Sequence, residues 1–345
     1  MKSRERVMAV FQGKIPDRVP MWCGASPEFM EKARKYLEAA DNEGVLKRFH
    51  DDFRRVYSVY CGPELPERTS VFGVKRGGIG YGQALSHPLA EATLEDVEKY
   101  PWPDPDWYDV RPVREAAEAY GKEYAVMGGE WSPFFHDAVD LMGMQNMMVK
   151  MYEEPEVVQA VFRHIVDFYL AVNKRIFEAA GDLIDIFFFG NDFGSQNGPL
   201  VGGETFRTFL KPQVARLCSQ AHEYGLYTML HCCGSISELI PDLIDAGLDA
   251  LQSLQPVTPS MQADVLKKAY GGKIIMNGCV NSVTVLLQGT EELARAETKR
   301  ILDIMAPGGG FILSPSHDYL LEETPVENVI AMYDTAYTCG AYPSI

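Results

Sequence analysis

The sequence predicts a single (β/α)8 TIM barrel, an α/β fold forming one domain over residues 1–345. Short β-type runs alternate with amphipathic helical stretches through most of the chain, the mark of βα units and a parallel sheet. Eight such runs can be placed, the number that closes a barrel. No GxGxxG follows an early strand, as an open doubly wound sheet with a dinucleotide site would show.

The elements follow in order. Residues 3–12 read as an N-terminal helical extension, with Ser3 as its cap and Glu5 and Arg6 near its start. Residues 18–22 are the first strand and 54–60 the second. Residues 62–110 are rich in Gly, Pro and turn residues; they are expected to make a long excursion over the barrel mouth, with a hairpin across 71–83. Residues 124–128 are the third strand. The fourth, 184–189, is unusually apolar, as for a strand covered on both faces. Residues 227–231, 250–253, 273–277 and 311–314 complete the eight. The clearest connecting helices are 155–180 and 204–224, followed by 239–246 and 291–305. No internal repeat, low-complexity tract or long linker divides the chain.

Composition narrows the function. The net charge of −16 argues against general nucleic-acid binding and against docking on anionic lipid. No stretch approaches the ~18 uninterrupted apolar residues of a membrane helix. The charged start, residues 1–6, lacks the apolar segment of a secretion signal. The seven cysteines are odd in number and irregular in spacing, unlike a disulfide framework. A cytoplasmic protein is expected, in which a cysteine beside a histidine is of interest as a metal ligand.

Barrels of this kind carry their chemistry at the carboxyl ends of the strands. The sharpest signal there is His231-Cys232-Cys233-Gly234. Side chains two apart on a strand point the same way, so His231 and Cys233 can grip one ion while Cys232 faces the other side. Imidazole plus thiolate suits zinc. A catalytic zinc takes three protein ligands; His317, Cys279 and Asp192 are the candidates for the third, with His317 favoured and Cys279 next. The competing reading is a packed, hydrogen-bonded pair without metal.

A second cluster runs from Gly190 through Asp192 to Gln196. There Asp192 either orients substrate, acts as acid or base and supports a metal, or caps a polar turn. Glu130 and His136, among Trp131, Phe134 and Phe135, form either an apolar wall with a polar handle for a flat ligand or the start of a core helix. Trp22, Tyr57, Gln252 and Asn277 complete the strand-end set. The triple glycine 308–310 reads as a tight loop feeding the last strand, and the methionines of 142–151 as a helix core face.

Taken together these motifs resemble the uroporphyrinogen decarboxylase superfamily over nearly the whole chain. Residues 3–7 followed by Pro16-Asp17-Arg18-Val19-Pro20 are similar to its amino-terminal signature, and residues 192–196 to its central acidic motif. His231-Cys232-Cys233-Gly234 resembles its HxCG motif, and residues 307–317 with 324–328 its carboxyl-terminal signature. True uroporphyrinogen decarboxylases carry an arginine-rich segment after the first strand that pairs with substrate carboxylates. The matching stretch here, residues 21–27, has no arginine. The resemblance therefore points to the methyltransferase-like or decarboxylase-like branches rather than to a true porphyrinogen decarboxylase. The methyltransferase branch implies zinc on His231 and Cys233. A later cysteine of that branch is replaced here by His317.

The expectation is a zinc-dependent methyltransferase that moves a methyl group between a methylated corrinoid, carried by a partner protein, and a nucleophilic small-molecule acceptor such as a thiol. His231, Cys233 and His317 would hold the metal, with Cys279 as the alternative third ligand. Asp192, Glu130 and Asn277 would orient the acceptor or tune the ligands, and Trp22, Tyr57, Trp131, Gln196 and Gln252 would line the substrate site. A metal-free decarboxylase acting on a tetrapyrrole or smaller acid, and a non-catalytic corrinoid- or tetrapyrrole-binding protein, are the alternatives.

Overall fold

The computed structural model of the protein describes residues 1–78 and 82–342. Seven parallel strands are hydrogen-bonded side by side in chain order. They are β1 (Phe53–Arg55), β2 (Ala125–Gly128), β3 (Ile186–Gly190), β4 (Tyr227–His231), β5 (Ala250–Leu254), β6 (Ile275–Val280) and β7 (Phe311–Pro315). Residues 20–22 bridge the two free edges. On one side Leu313 donates its N–H to the Pro20 carbonyl at 2.9 Å and Trp22 donates to the Leu313 carbonyl at 3.0 Å. On the other, Asp52 donates to the Met21 carbonyl at 2.9 Å. The cylinder therefore closes in its eighth position through a segment too irregular to be a full strand. Pro20 has no N–H to give, and the Met21 N–H goes to the Asp52 carboxylate at 2.9 Å.

Two core clusters separate by strand parity. Phe53, Ala125, Met127, Ile186, Phe188, Met229, Ala250, Ile275 and Ile312 point inward and fill the barrel. Their alternates, such as Phe187, Phe189, Leu230 and Leu313, pack outward against the helices. Val7, Val10 and Phe11 of the helix Ser3–Phe11 join the inner cluster, so this helix plugs the amino-terminal end of the cylinder. Its cap is Lys2 rather than Ser3: Ser3 is already helical, and the Glu5 carboxylate takes the Lys2 N–H at 3.0 Å.

The helices Pro155–Ala180 and Glu291–Met305 have the expected bounds. The expected second strand does not extend to residue 60. β1 ends at Arg55, and Val59–Tyr60 pairs antiparallel with Tyr108–Asp109, so the excursion leaves and re-enters through its own small ladder. The hairpin expected at 71–83 is Arg76–Gly77 against Gln83–Ala84; residues 79–81 lie outside the described residues. No helix among the described residues is long and apolar enough to cross a membrane.

Candidate metal centre

Toward the carboxyl ends of the strands the barrel interior turns from apolar to polar. On β4, Met229 lies in the apolar layer and His231, two residues on, rises above it. Its neighbours on β5 and β6 are Gln252 and Asn277, which face each other in register and are fully buried. Gln252 Oε1 lies 2.6 Å from His231 Nδ1. That contact assigns the proton to Nδ1 and leaves the Nε2 lone pair free at the mouth.

Nε2 meets two further donors there. Cys233 Sγ is 3.2 Å away and Asp192 Oδ1 is 3.4 Å away. One ligating atom from each of Asp192, His231 and Cys233 lies within 4.8 Å of the others. In a tetrahedral zinc site, bond lengths of about 2.3 Å to sulfur and about 2.0–2.1 Å to nitrogen or oxygen place ligand atoms about 3.3–3.6 Å apart. The two spacings from His231 Nε2, 3.2 Å to sulfur and 3.4 Å to oxygen, fall within a few tenths of an ångström of this, and the oxygen, nitrogen and sulfur donor set is one that zinc accepts.

Two glycine loops bring these groups together. A Cβ on Gly194 would lie 2.6 Å from the Cys233 carbonyl, and one on Gly234 (φ +85°) would lie 2.6 Å from the Gly194 carbonyl carbon. Backbone touches backbone, and Ser235 donates its N–H to the Ser195 carbonyl at 2.8 Å. Asp192 is thereby held over β4, where its Oδ1 accepts the Cys233 N–H at 2.7 Å.

The electrostatics fit a charged centre. Burial works to raise the Asp192 pKa, but hydrogen bonds with His136 and His231 outweigh it and hold the carboxyl well below its usual range. Burial opposes a charge on His231, yet Asp318, Cys233 and Asp192 together push its pKa well above the ordinary value. Burial also opposes ionisation of Cys233, while His231 and His317 overcome it and lower the thiol pKa. The three groups thus shift one another toward their charged forms, and one ligating atom of each lies near the same point.

His317 stands against the cluster without joining the compact trio. Its ring lies 6.0 Å from that of His231, its Nδ1 accepts the Tyr319 N–H at 3.0 Å, and the imidazole hydrogen-bonds the Cys233 sulfur. Of the three candidates for a third ligand, Asp192 is the one whose ligating atom stands in the compact trio with His231 and Cys233. Cys279 faces elsewhere. By parity with Ile275 and Asn277 it should point inward, but the register of β6 slips between Asn277 and Gly278 and Cys279 adopts φ +76°. Its thiol packs in the outer core near Arg300 and Glu297, with its pKa pushed up to about 12 by burial.

The other expected site residues are dispersed around this centre. Trp131 lies over it, with ring centroids 5.6 Å from His231 and 5.3 Å from Phe188. Glu130 is set further out: Ser58 donates to its Oε2 at 2.8 Å, and burial raises its pKa. Trp22 forms part of the inner wall, edge-on to Phe188. Gln196 and His317 line a cavity of about 440 Å³, and Trp22 and Tyr57 a second of about 720 Å³. Asn277, in register with Gln252, accepts the Ser314 hydroxyl at 2.6 Å. Asp318, a polar group that the sequence already places beside His317 at the mouth, lies 3.5 Å from His231 Nδ1. Two groups were not legible as site residues: Gln255, which donates to the Cys233 sulfur at 3.4 Å, and Arg55. Inward parity from Phe53 on β1 was the signal for Arg55.

A sequence model described as uroporphyrinogen decarboxylase (URO-D) matches residues 80–339. The methylcobamide:CoM methyltransferase MtaA of Methanosarcina barkeri is 25% identical over 95% of this chain and 96% of its own length. MtbA of Methanosarcina acetivorans, a methyltransferase of the same description, is 24% identical over 91% of this chain and 94% of its own. The uroporphyrinogen decarboxylase of Geobacter sulfurreducens is 22% identical over 94% and 96%. A solved methyltransferase structure from Methanosarcina mazei superposes with a TM-score of 0.73, covering 98% of this chain and 99% of its own at 21% identity.

Proposed function

The chain belongs to the uroporphyrinogen decarboxylase family, and from that premise we propose that it is a zinc-dependent methyltransferase that moves a methyl group from a methylated corrinoid, carried on a partner protein, to a thiol acceptor. The observation that carries this reading is the convergence of Asp192, His231 and Cys233 on one point at the open end of the barrel. The methylcobamide:CoM methyltransferases similar to the chain over nearly its full length support the reaction class.

His231 Nε2, Cys233 Sγ and Asp192 would hold the ion, and a bound zinc would lower the pKa of a thiol placed in its open position so that the sulfur arrives as a nucleophile. Gln252 fixes the His231 tautomer from behind. His317 and Gln255 hydrogen-bond the Cys233 sulfur and temper its charge. His136, 3.5 Å from Asp192 Oδ2, steadies the second carboxylate oxygen. Trp131 and Phe188 give the acceptor an apolar wall and keep water from the reacting sulfur. Glu130, half-buried at the rim with its pKa raised by burial, accepts the Ser58 hydroxyl there.

The carboxy-lyase alternative has less support: residues 21–27 supply no arginine for a polycarboxylate, and of the two arginines lining the larger mouth cavity Arg54 is already paired with Glu43.

The experiment is methyl transfer from free methylcobalamin to a small thiol, followed by the absorbance change of the corrinoid. Zinc-loaded protein should catalyse it and chelator-treated protein should not. Equal rates in the two preparations would count against the proposal.

A further inference from the structure

We propose that Asn277 and Ser314 are positioning residues for the metal-binding imidazole, joined to it through Gln252 in one hydrogen-bonded row that runs from His231 Nδ1 to the Pro315 carbonyl. The inference rests on reading Asp192, His231 and Cys233 as the metal centre, and it adds what holds the histidine in its ligating tautomer.

The four side chains form one layer. Met229, Ala250, Ile275 and Ile312, on β4 to β7, fill the barrel interior. His231, Gln252, Asn277 and Ser314 each stand two residues later on the same four strands, so they face inward directly above that apolar layer. The last three have no exposed surface, and His231 is 5% exposed. Gln252 is in register with His231 on one side and with Asn277 on the other. Contacts hold both ends of the row: Gln252 Oε1 lies 2.6 Å from His231 Nδ1, and Asn277 Oδ1 lies 2.6 Å from Ser314 Oγ.

These end contacts conflict at the centre. Gln252 turns its oxygen toward β4, which leaves its nitrogen on the β6 side. Asn277 turns its oxygen toward β7, which leaves its nitrogen on the β5 side. Neither Gln252 Nε2 nor Asn277 Nδ2 has an acceptor among the described residues, and both atoms are buried. Two unmade donor bonds in a dry interior are destabilising. A half-turn of one amide removes both defects, because the two ends of a primary amide have the same shape and their partners decide which way they face. With Asn277 turned, Gln252 Nε2 donates to Asn277 Oδ1 and Asn277 Nδ2 donates to Ser314 Oγ. The Ser314 hydroxyl then donates to the Pro315 carbonyl, 2.9 Å away. Turning Gln252 instead would give its N–H to His231 Nδ1 and force the imidazole proton onto Nε2, the atom that faces Cys233 and Asp192. That proton would block the lone pair a cation needs. The polarity that keeps Nε2 open therefore has every donor pointing away from His231. In it, Asn277 is the residue that stops the Gln252 amide from turning.

Neutron diffraction from deuterium-exchanged crystals of the metal-free wild-type chain reads the row directly. The Asn277 nitrogen should face Ser314, and the Ser314 deuterium should point to the Pro315 carbonyl. An Asn277 oxygen facing Ser314 would overturn the proposal. The positioning role is read from zinc affinity, by competition with a chromophoric chelator, and from the Nδ1–H proton resonance of His231. Asn277→Leu, of similar size but without either polar end, should lose about tenfold or more in zinc affinity, and the resonance should broaden through exchange with water. Adding Gln252→Glu should restore the resonance and bring affinity back to within about threefold of wild type, because a carboxylate accepts at either end and needs no neighbour to fix its direction. A packing role for Asn277 predicts no such rescue. Wild-type affinity in a folded Asn277→Leu chain, or no recovery in the double variant, would refute the positioning role. The neutron result stands even if a variant misfolds. It also needs no zinc, so a chain that bound no metal would fail the proposed reaction while the direction of the row was still decided.

Discussion

Replacing Gln252 with alanine should weaken zinc binding about 10–100-fold, or about 1.4–2.7 kcal/mol, through a residue that is not itself a ligand. Gln252 is fully buried, and its Oε1 makes a 2.6 Å contact with His231 Nδ1. The backbone bond from the Cys232 N–H to the Gln252 carbonyl survives the substitution, so β4 and β5 stay in register. What is lost is the group that fixes the imidazole's tautomer and tilt. Asp318 Oδ1, 3.5 Å from the same nitrogen, can move in and recover part of the effect, so Gln252→Ala combined with Asp318→Ala should reach the upper end of the range. Thermal unfolding without metal reads the structural cost separately; one buried N–H without its acceptor costs about 1–3 kcal/mol. Zinc affinity is measured by competition with a chromophoric chelator. A folded Gln252→Ala chain that binds zinc as tightly as wild type would refute the idea that this amide orients the ligand.

Further predictions follow the same contacts. His317→Ala should keep its zinc while losing methyl transfer, since His317 contacts the Cys233 sulfur from outside the trio; loss of the metal in this variant would make His317 a ligand after all. Gly190→Ala should displace Trp131, because a Cβ there collides with the indole, and should shift tryptophan emission along with a fall in activity. Phe188→Ala should cost about 3–5 kcal/mol in urea unfolding, since its fully buried ring joins Trp22 and Trp131 inside the barrel. Asp137 is raised to about 7, chiefly by burial, although Tyr169 donates to it. The stabilisation from its protonated form is therefore complete below about pH 4 and lost as pH rises through about 7. Asp137→Asn should melt higher than wild type at pH 8, with the gap closing by pH 5; a gap independent of pH would contradict this sign.

The barrel was legible because parallel strands buried on both faces leave short apolar runs with turn residues between them, and helices such as 155–180 carry a strong 3.6-residue period. Hydrogen bonding that is not periodic was illegible. Residues 18–22 look like a strand, but Asp52 takes the N–H that a ladder would have used. Residues 54–60 read as continuous because alternation cannot show where a chain departs for another sheet. In the site, the two-residue spacing of His231 and Cys233 was enough to place both on one face of β4. Which of the candidate third groups approaches them was not legible, because Asp192 reaches the same point only through the contact of two glycine loops distant in sequence. Cys279 misled for a definable reason: simple parity assumes an unbroken strand, and the slip at Gly278 turns the thiol outward. Arg55 is illegible as a mouth residue while the strand is taken to run on to residue 60; it stands at the strand's end only because the ladder stops there.

The most direct test of the central claim is the zinc content of protein purified without chelators, measured by elemental analysis beside folded His231→Ala and Cys233→Ala chains. One zinc per wild-type chain, with little in either variant, is the predicted result. A wild-type chain that takes up no zinc from excess metal, or variants that retain it in full, would contradict the claim that imidazole, thiolate and carboxylate meet here to hold a cation.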